Sequence, residues 1–163
     1  MSFEFSDYKN SKLQMQIKSW YTQWILIDHL YAEFAQYHGI SSSTMFIMRM
    51  LYDTTDGCSQ GSICEYLTLP KQTVSSTLKI LEEKGYVTKI TDDKDKRNKL
   101  VCLTYMGTEF IGIVISELHK IEEKAFNSLS EKDRVAYMMV NEALTKALHT
   151  QMKAIKKTGG SKL

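Results

Sequence analysis

The stretch LTLPKQTVSSTLKILEEKGYVTKITDDKDKRNKLVCLT, residues 67–104, decides how this chain folds. It holds the only proline of the chain, Pro70, and a proline suits the first position of a helix, where its missing N–H costs nothing. The helix predicted from there runs to Lys84 with Val74, Leu78 and Leu81 on one face, and Gly85 stops it. Residues 86–91 (YVTKIT) are rich in β-branched side chains and read as a strand, as do residues 100–104 (LVCLT). Between the strands lies DDKDKRNK, residues 92–99, with seven charges in eight positions. It lacks an Asn-Gly or Asp-Gly pair and is longer than a tight turn, so it is expected to project from the hairpin.

Upstream, Ser59 can cap a short helix carrying Ile63, Tyr66 and Leu67, and Asp56-Gly57 marks a turn before it. Short helix, turn, helix and charged hairpin together describe a winged helix-turn-helix. The second helix opens with Lys71, Gln72, Thr73, Ser75 and Ser76. Glutamine can pair with adenine through two hydrogen bonds, and serine or threonine can reach bases or phosphates. A polar helix start is also simply good capping, and Lys79 is either a phosphate contact or a solvated lysine. The hairpin weighs the balance toward nucleic acid: Lys94, Lys96, Arg97 and Lys99 fall within six residues, at a tip placed to reach the neighbouring minor groove.

At this point the segment resembles the DNA-binding region of the MarR family of bacterial transcription regulators. The likeness lies in T-V-S at residues 73–75, L-E-x-x-G-Y-V at residues 81–87, the D-x-R of Asp95, Lys96 and Arg97, and the closing VCLT. The resemblance implies a homodimer, a recognition helix in the major groove, Arg97 in the minor groove and Asp95 holding that arginine by an ion pair. It also implies control by small aromatic or anionic effectors, for which Tyr37, His38, Phe46 and Arg49 are candidates. This chain departs from the family pattern at Ser76 and at Pro70, and its first strand shrinks to a residue or so near Cys58.

The flanks read as long helices. Leu13, Ile17, Trp20, Trp24, Ile27, Tyr31, Phe34 and His38 step by four and three along residues 11–38, and Gly39 ends that helix. Ser41, Ser42 and Ser43 offer caps for a helix near residues 43–54. Thr104 can cap a helix over 105–127, with Phe110 or Ile111, Val114, Leu118, Ile121 and Ala125 inward. Ser130 can cap a last helix striped by Ala136, Val140, Leu144, Ala147, Leu148 and Ile155. These stripes are too long for one small winged helix to cover, which independently predicts a symmetric dimer. The expected fold is therefore mostly α with one small β-hairpin. It reads as three regions: an N-terminal dimerisation helix (1–40), a winged helix-turn-helix (41–104) and C-terminal dimerisation helices (105–163).

Net charge is +2, so bulk charge alone does not announce a nucleic-acid binder; residues 57–104 carry eight basic side chains against six acidic. Cys58, Cys64 and Cys102 fit no metal spacing and read as reduced thiols. Cys58 precedes a helix start, which can lower a thiol pKa, so it is the candidate for redox control. His29 with Glu33 and His119 with Glu123 are spaced four apart, and zinc sensing across a dimer is the other alternative. No glycine-rich phosphate loop, G-x-S-x-G or H-E-x-x-H occurs, so no enzyme and no cofactor is expected. The N-terminus has no signal-peptide pattern and no apolar run reaches membrane length, so a soluble, cytoplasmic protein is expected. The function read from the sequence is a ligand-responsive homodimeric repressor on a pseudo-palindromic DNA operator. A winged helix that binds protein without DNA remains the alternative of another kind.

Overall fold

The computed structural model describes residues 11–54, 56–91, 96 and 98–157. In chain order the elements are α1 (Lys12–Tyr37), α2 (Ser42–Tyr52), β1 (Cys58–Ser59), α3 (Gln60–Leu67), α4 (Lys71–Glu83), β2 (Val87–Thr91), β3 (Lys99–Leu103), α5 (Tyr105–Asn127) and α6 (Glu131–Lys157). The chain divides into two compact units, one through Ile115 and one from Ser116 onward.

Serine and threonine caps set most helix starts in the first unit. The hydroxyls of Ser11, Ser41 and Ser59 accept from the N–H groups of Gln14, Thr44 and Ser62 at 3.2, 3.1 and 3.0 Å. Helix α4 differs: Pro70 is its N-cap, in extended backbone and with no side-chain cap bond, so the helix proper begins at Lys71 rather than at the proline. Gly39 and Gly85 close α1 and α4 with φ of 72° and 73°, a left-handed turn that glycine adopts without strain. Between α3 and α4 that role falls to Thr68, at φ 53°. A β-branched residue there costs on the order of 1–2 kcal/mol relative to glycine.

The core of this unit gathers Met45, Ile47, Met48 and Leu51 of α2, Ile63 of α3, and Val74, Leu78 and Leu81 of α4. Val87 and Val101 of the sheet and Ile111 and Val114 of α5 complete it. The sheet has three antiparallel strands in the order β1-β3-β2. Cys58 pairs with Val101, while Val87 pairs with Leu103 and Thr91 with Lys99. The first strand is thus a real but two-residue edge. Gly57 permits it: at φ 76°, a Cβ there would lie 2.7 Å from the Val101 carbonyl oxygen.

Thr104 joins three elements. Its N–H donates to the Tyr86 carbonyl at 3.0 Å, its hydroxyl donates to the Gly85 carbonyl at 2.6 Å, and the same hydroxyl accepts from the Gly107 N–H at 3.1 Å. The end of α4, the end of β3 and the start of α5 therefore meet at Thr104. Gly107 makes the approach possible, because a Cβ there would lie 2.0 Å from the Tyr86 carbonyl oxygen. The Tyr86 and Phe110 rings stack beside it, centroids 4.9 Å apart.

Helix α1 packs its C-terminal end only. Ala35 is buried, and Tyr31 stacks against Phe46 of α2 at 5.9 Å between centroids. Upstream, Leu13, Ile17, Trp20, Trp24 and Ile27 of the heptad stripe are all exposed in the single chain. In the second unit, Ser130 caps α6 by accepting from the Asp133 N–H at 3.1 Å. The Arg134 guanidinium donates to the Phe126 and Leu129 carbonyls at 3.2 and 2.6 Å, fastening the turn before it. The predicted α6 stripe is largely exposed as well, with Val140 and Ile155 each more than half exposed and Leu148 half-buried.

Candidate nucleic-acid interface

Helix α4 separates its chemistry by face. Val74, Thr77, Leu78 and Leu81 are buried, whereas Lys71, Gln72, Ser75, Ser76 and Lys79 are exposed. Thr73 is half-buried. The Ser76 hydroxyl donates back to the Thr73 carbonyl at 3.0 Å, which orients it without removing its accepting lone pairs. Lys79 lies 3.9 Å from Glu83, both well exposed, a loose surface pair of little energetic weight that leaves the ammonium able to turn elsewhere. At the far end of the helix Glu82 is ion-paired to Lys89 of β2, which ties the helix to the wing.

The wing brings one cation, Lys99, beside Lys71. Strands β2 and β3 close at the Thr91–Lys99 pair, and residues 92–98 connect them. Lys96, Asn98 and Lys99 are exposed. Lys94, Asp95 and Arg97 lie outside the described residues, and with them the expected Asp95–Arg97 ion pair. Lys99 and Asn98 share a cleft of about 640 Å³ with Lys71 and with Ser59, Gln60 and Cys64 of the preceding segment. Within it the Gln60 side-chain amide donates to the Lys71 carbonyl at 3.4 Å. The structure thus brings Lys71 of the helix and Lys99 of the wing together. Gln60 and Asn98 join them through contacts distant in sequence, which no local motif announces.

Two of the four candidate effector residues share a cleft. Phe46 and Arg49 line a second cleft, of about 470 Å³, with Met50, Asp53, Thr54, Tyr66 and Leu67. Tyr37 and His38 are not among its lining residues. Tyr37 is 82% exposed and sits edge-on to His38, which in turn lies 4.7 Å from the Phe34 ring.

The thiol expectation is corrected. Burial first, and then the nearby Cys102, push the Cys58 thiol above its ordinary value. Burial likewise raises Cys102, with a smaller push from the Asp56 carboxylate. Both causes act against the lowering that a position before α3 suggests. His29 and Glu33 pair at 3.3 Å on an exposed face. Among the described residues, no three His, Cys, Asp or Glu side chains are gathered as a metal would require. No described helix is long and apolar enough to cross a membrane.

This geometry agrees with what the chain is similar to. Residues 38–98 match the model of the MarR family. The winged helix resembles that of the MarR family. The HTH-type transcriptional regulator SarZ of Staphylococcus aureus is 31% identical over 98 residues, spanning 60% of this chain and 64% of that protein. The match therefore covers just under two thirds of the length of these curated relatives. Among solved structures, the S. aureus MepR–DNA complex is 25% identical with a TM-score of 0.65, covering 79% of this chain and 96% of that one. NMB1585, a MarR family regulator from Neisseria meningitidis, has a TM-score of 0.72 at 22% identity, covering 85% of this chain and 97% of its own. By this likeness α3 and α4 correspond to the helix-turn-helix, β2 and β3 to the wing, and α4 to the recognition helix of those proteins.

Proposed function

We propose that this protein is a cytoplasmic, homodimeric, sequence-specific DNA-binding repressor released by a small aromatic or anionic effector. The observation that carries the reading is the sided recognition helix. Its exposed face offers Lys71, Gln72, Ser75, Ser76 and Lys79, and the wing cation Lys99 shares a cleft with Lys71. Hydrogen-bonding side chains on one helix face suit base edges in the major groove, and flanking lysines suit phosphates. The complex of DNA with the related MepR supports the same use of this fold. Exposed apolar stripes on α1 and α6 support pairing of two copies, which would set two recognition helices on half-sites about 34–36 Å apart. The cleft of Phe46 and Arg49 offers an aromatic wall and a guanidinium, complementary to an aromatic acid or phenolate.

The test is selection of bound duplexes from a random pool, followed by gel shifts across a salt series. An enriched inverted repeat, with affinity falling steeply as salt rises, is the expected result. A pool that shows no enrichment refutes sequence-specific binding. Substitutions at Gln72 or Ser76 are expected to change the selected sequence more than the bulk affinity. Aromatic carboxylates and phenols are then titrated into the complex, and release abolished by Arg49→Ala marks the effector cleft. Release unaffected by that change places the effector elsewhere.

A further inference from the structure

The cleft between the first helix of the helix-turn-helix and the root of the wing has a one-sided chemistry. Among the described residues that line it, the two charged ones are lysines, Lys71 and Lys99, drawn from different elements, and none is a carboxylate. The side-chain amides of Gln60 and Asn98 add further N–H donors. The floor is small: Gly61 lies along it, and a Cβ built there would meet only the Ser59 hydroxyl oxygen, at 3.6 Å. Two cations, two amides and an unobstructed floor are complementary to a single tetrahedral oxyanion approaching from outside.

We propose that this cleft seats one phosphate of the DNA backbone, held by Lys71 and Lys99, and that Gln60 is a positioning residue for Lys71. The inference rests on the DNA-binding reading above. A phosphate seated here fixes the register of the whole module, since a single group would be gripped from the recognition helix and from the wing at once. Gln60 acts through the backbone. Its amide holds the Lys71 carbonyl at 3.4 Å, and the α4 start lacks any side-chain cap bond of its own. Phosphate contacts position a protein without reading sequence, so this seat contributes affinity and register but no base preference.

Cys64 supplies a reporter, because it lines the same cleft and is partly accessible, while Cys58 is buried. Site-resolved alkylation with N-ethylmaleimide is followed by mass spectrometry, with and without the selected duplex, using the full-length protein. DNA at saturation is expected to slow labelling of Cys64 at least tenfold. Replacing Lys71 and Lys99 together by alanine is expected to reduce the slope of log affinity against log salt by about 0.9, the loss of one phosphate contact, and Lys99→Ala alone by part of that. Gly61→Glu, which puts a carboxylate into the cleft, is expected to weaken binding at least tenfold while the selected sequence stays the same. Gln60→Ala is expected to lower the slope as Lys71→Ala does, and the double variant to lower it no further. Wild-type protein that binds the duplex while Cys64 labels at its free rate overturns the seat and leaves the DNA reading standing. Wild-type protein that binds no duplex overturns both. The labelling result needs no substitution, so it decides the matter even if Gly61→Glu fails to fold.

Discussion

Replacing Trp24 by alanine tests the proposed pairing of two copies through α1. Trp24 is 57% exposed in the single chain. A wholly buried tryptophan hides about 200 Å², so on the order of 110 Å² of this ring is left for a partner to cover. At about 25 cal/mol per Å² that amounts to roughly 2.8 kcal/mol, and an alanine retaining a fraction of the contact leaves a loss of about 2 kcal/mol. A two-fold dimer carries the change twice, so about 4 kcal/mol is lost, close to a thousandfold in dissociation constant. Sedimentation velocity across nanomolar to micromolar concentrations measures that constant directly. The monomer fold is expected to survive, because the ring contributes little to the core of its own chain. Its described ring contact is with Tyr21 on the same helix. A variant that dimerises as tightly as the parent refutes the placement of the interface on this stripe. A parent that sediments as a monomer throughout refutes the dimer.

Arg97→Ala is expected to weaken binding to the selected duplex by roughly 1–3 kcal/mol, the scale of one groove contact, and unchanged gel-shift affinity would remove the minor-groove role. Gly107→Ala forces a methyl against the Tyr86 carbonyl oxygen, 2.0 Å from an ideal Cβ. Backbone must move to admit it, so a loss of about 1–3 kcal/mol in urea unfolding is expected, and an unshifted midpoint would mean the joint is slack. The raised Cys58 thiol sets a pH dependence. Above the ordinary thiol value of 9.0 the unfolded chain has lost a proton that the folded chain still holds, so stability falls as pH rises through that window. Cys58→Ala is expected to shrink the alkaline loss seen in thermal melts, and an identical loss in both proteins would contradict the assignment.

The winged helix was legible because its markers are local. Pro70, Gly85 and the β-branched runs each act within a few residues, and the observed α4, β2 and β3 fall within one residue of their expected bounds. The polar residues of α4 were legible for the same reason, since helical periodicity places them opposite Val74, Leu78 and Leu81. Gln60 and Asn98 were not, because their value depends on Lys71 and Lys99 being brought to one cleft by tertiary packing. Cys58 misled for a related reason. Position before a helix is visible in sequence, whereas burial by the sheet, which raises the pKa, is not. Of the four effector candidates, Phe46 and Arg49 lie on one helix at i and i+3, which sequence spacing shows directly, and they line one cleft.

The junction at Thr104 bears on how a signal can travel. One hydroxyl clamps the last turn of the recognition helix, the exit of the wing and the first turn of α5, with Gly107 pressed against the backbone behind it. Such a fastening has little play. A swivel at the start of α5 is handed to helix and wing together, like a hand turned at the wrist, and the fingers keep their grip shape. In a pair of such hands, a signal would change the distance between them rather than what each one feels. Operators that differ only in the spacing of their two halves would then respond most differently to it.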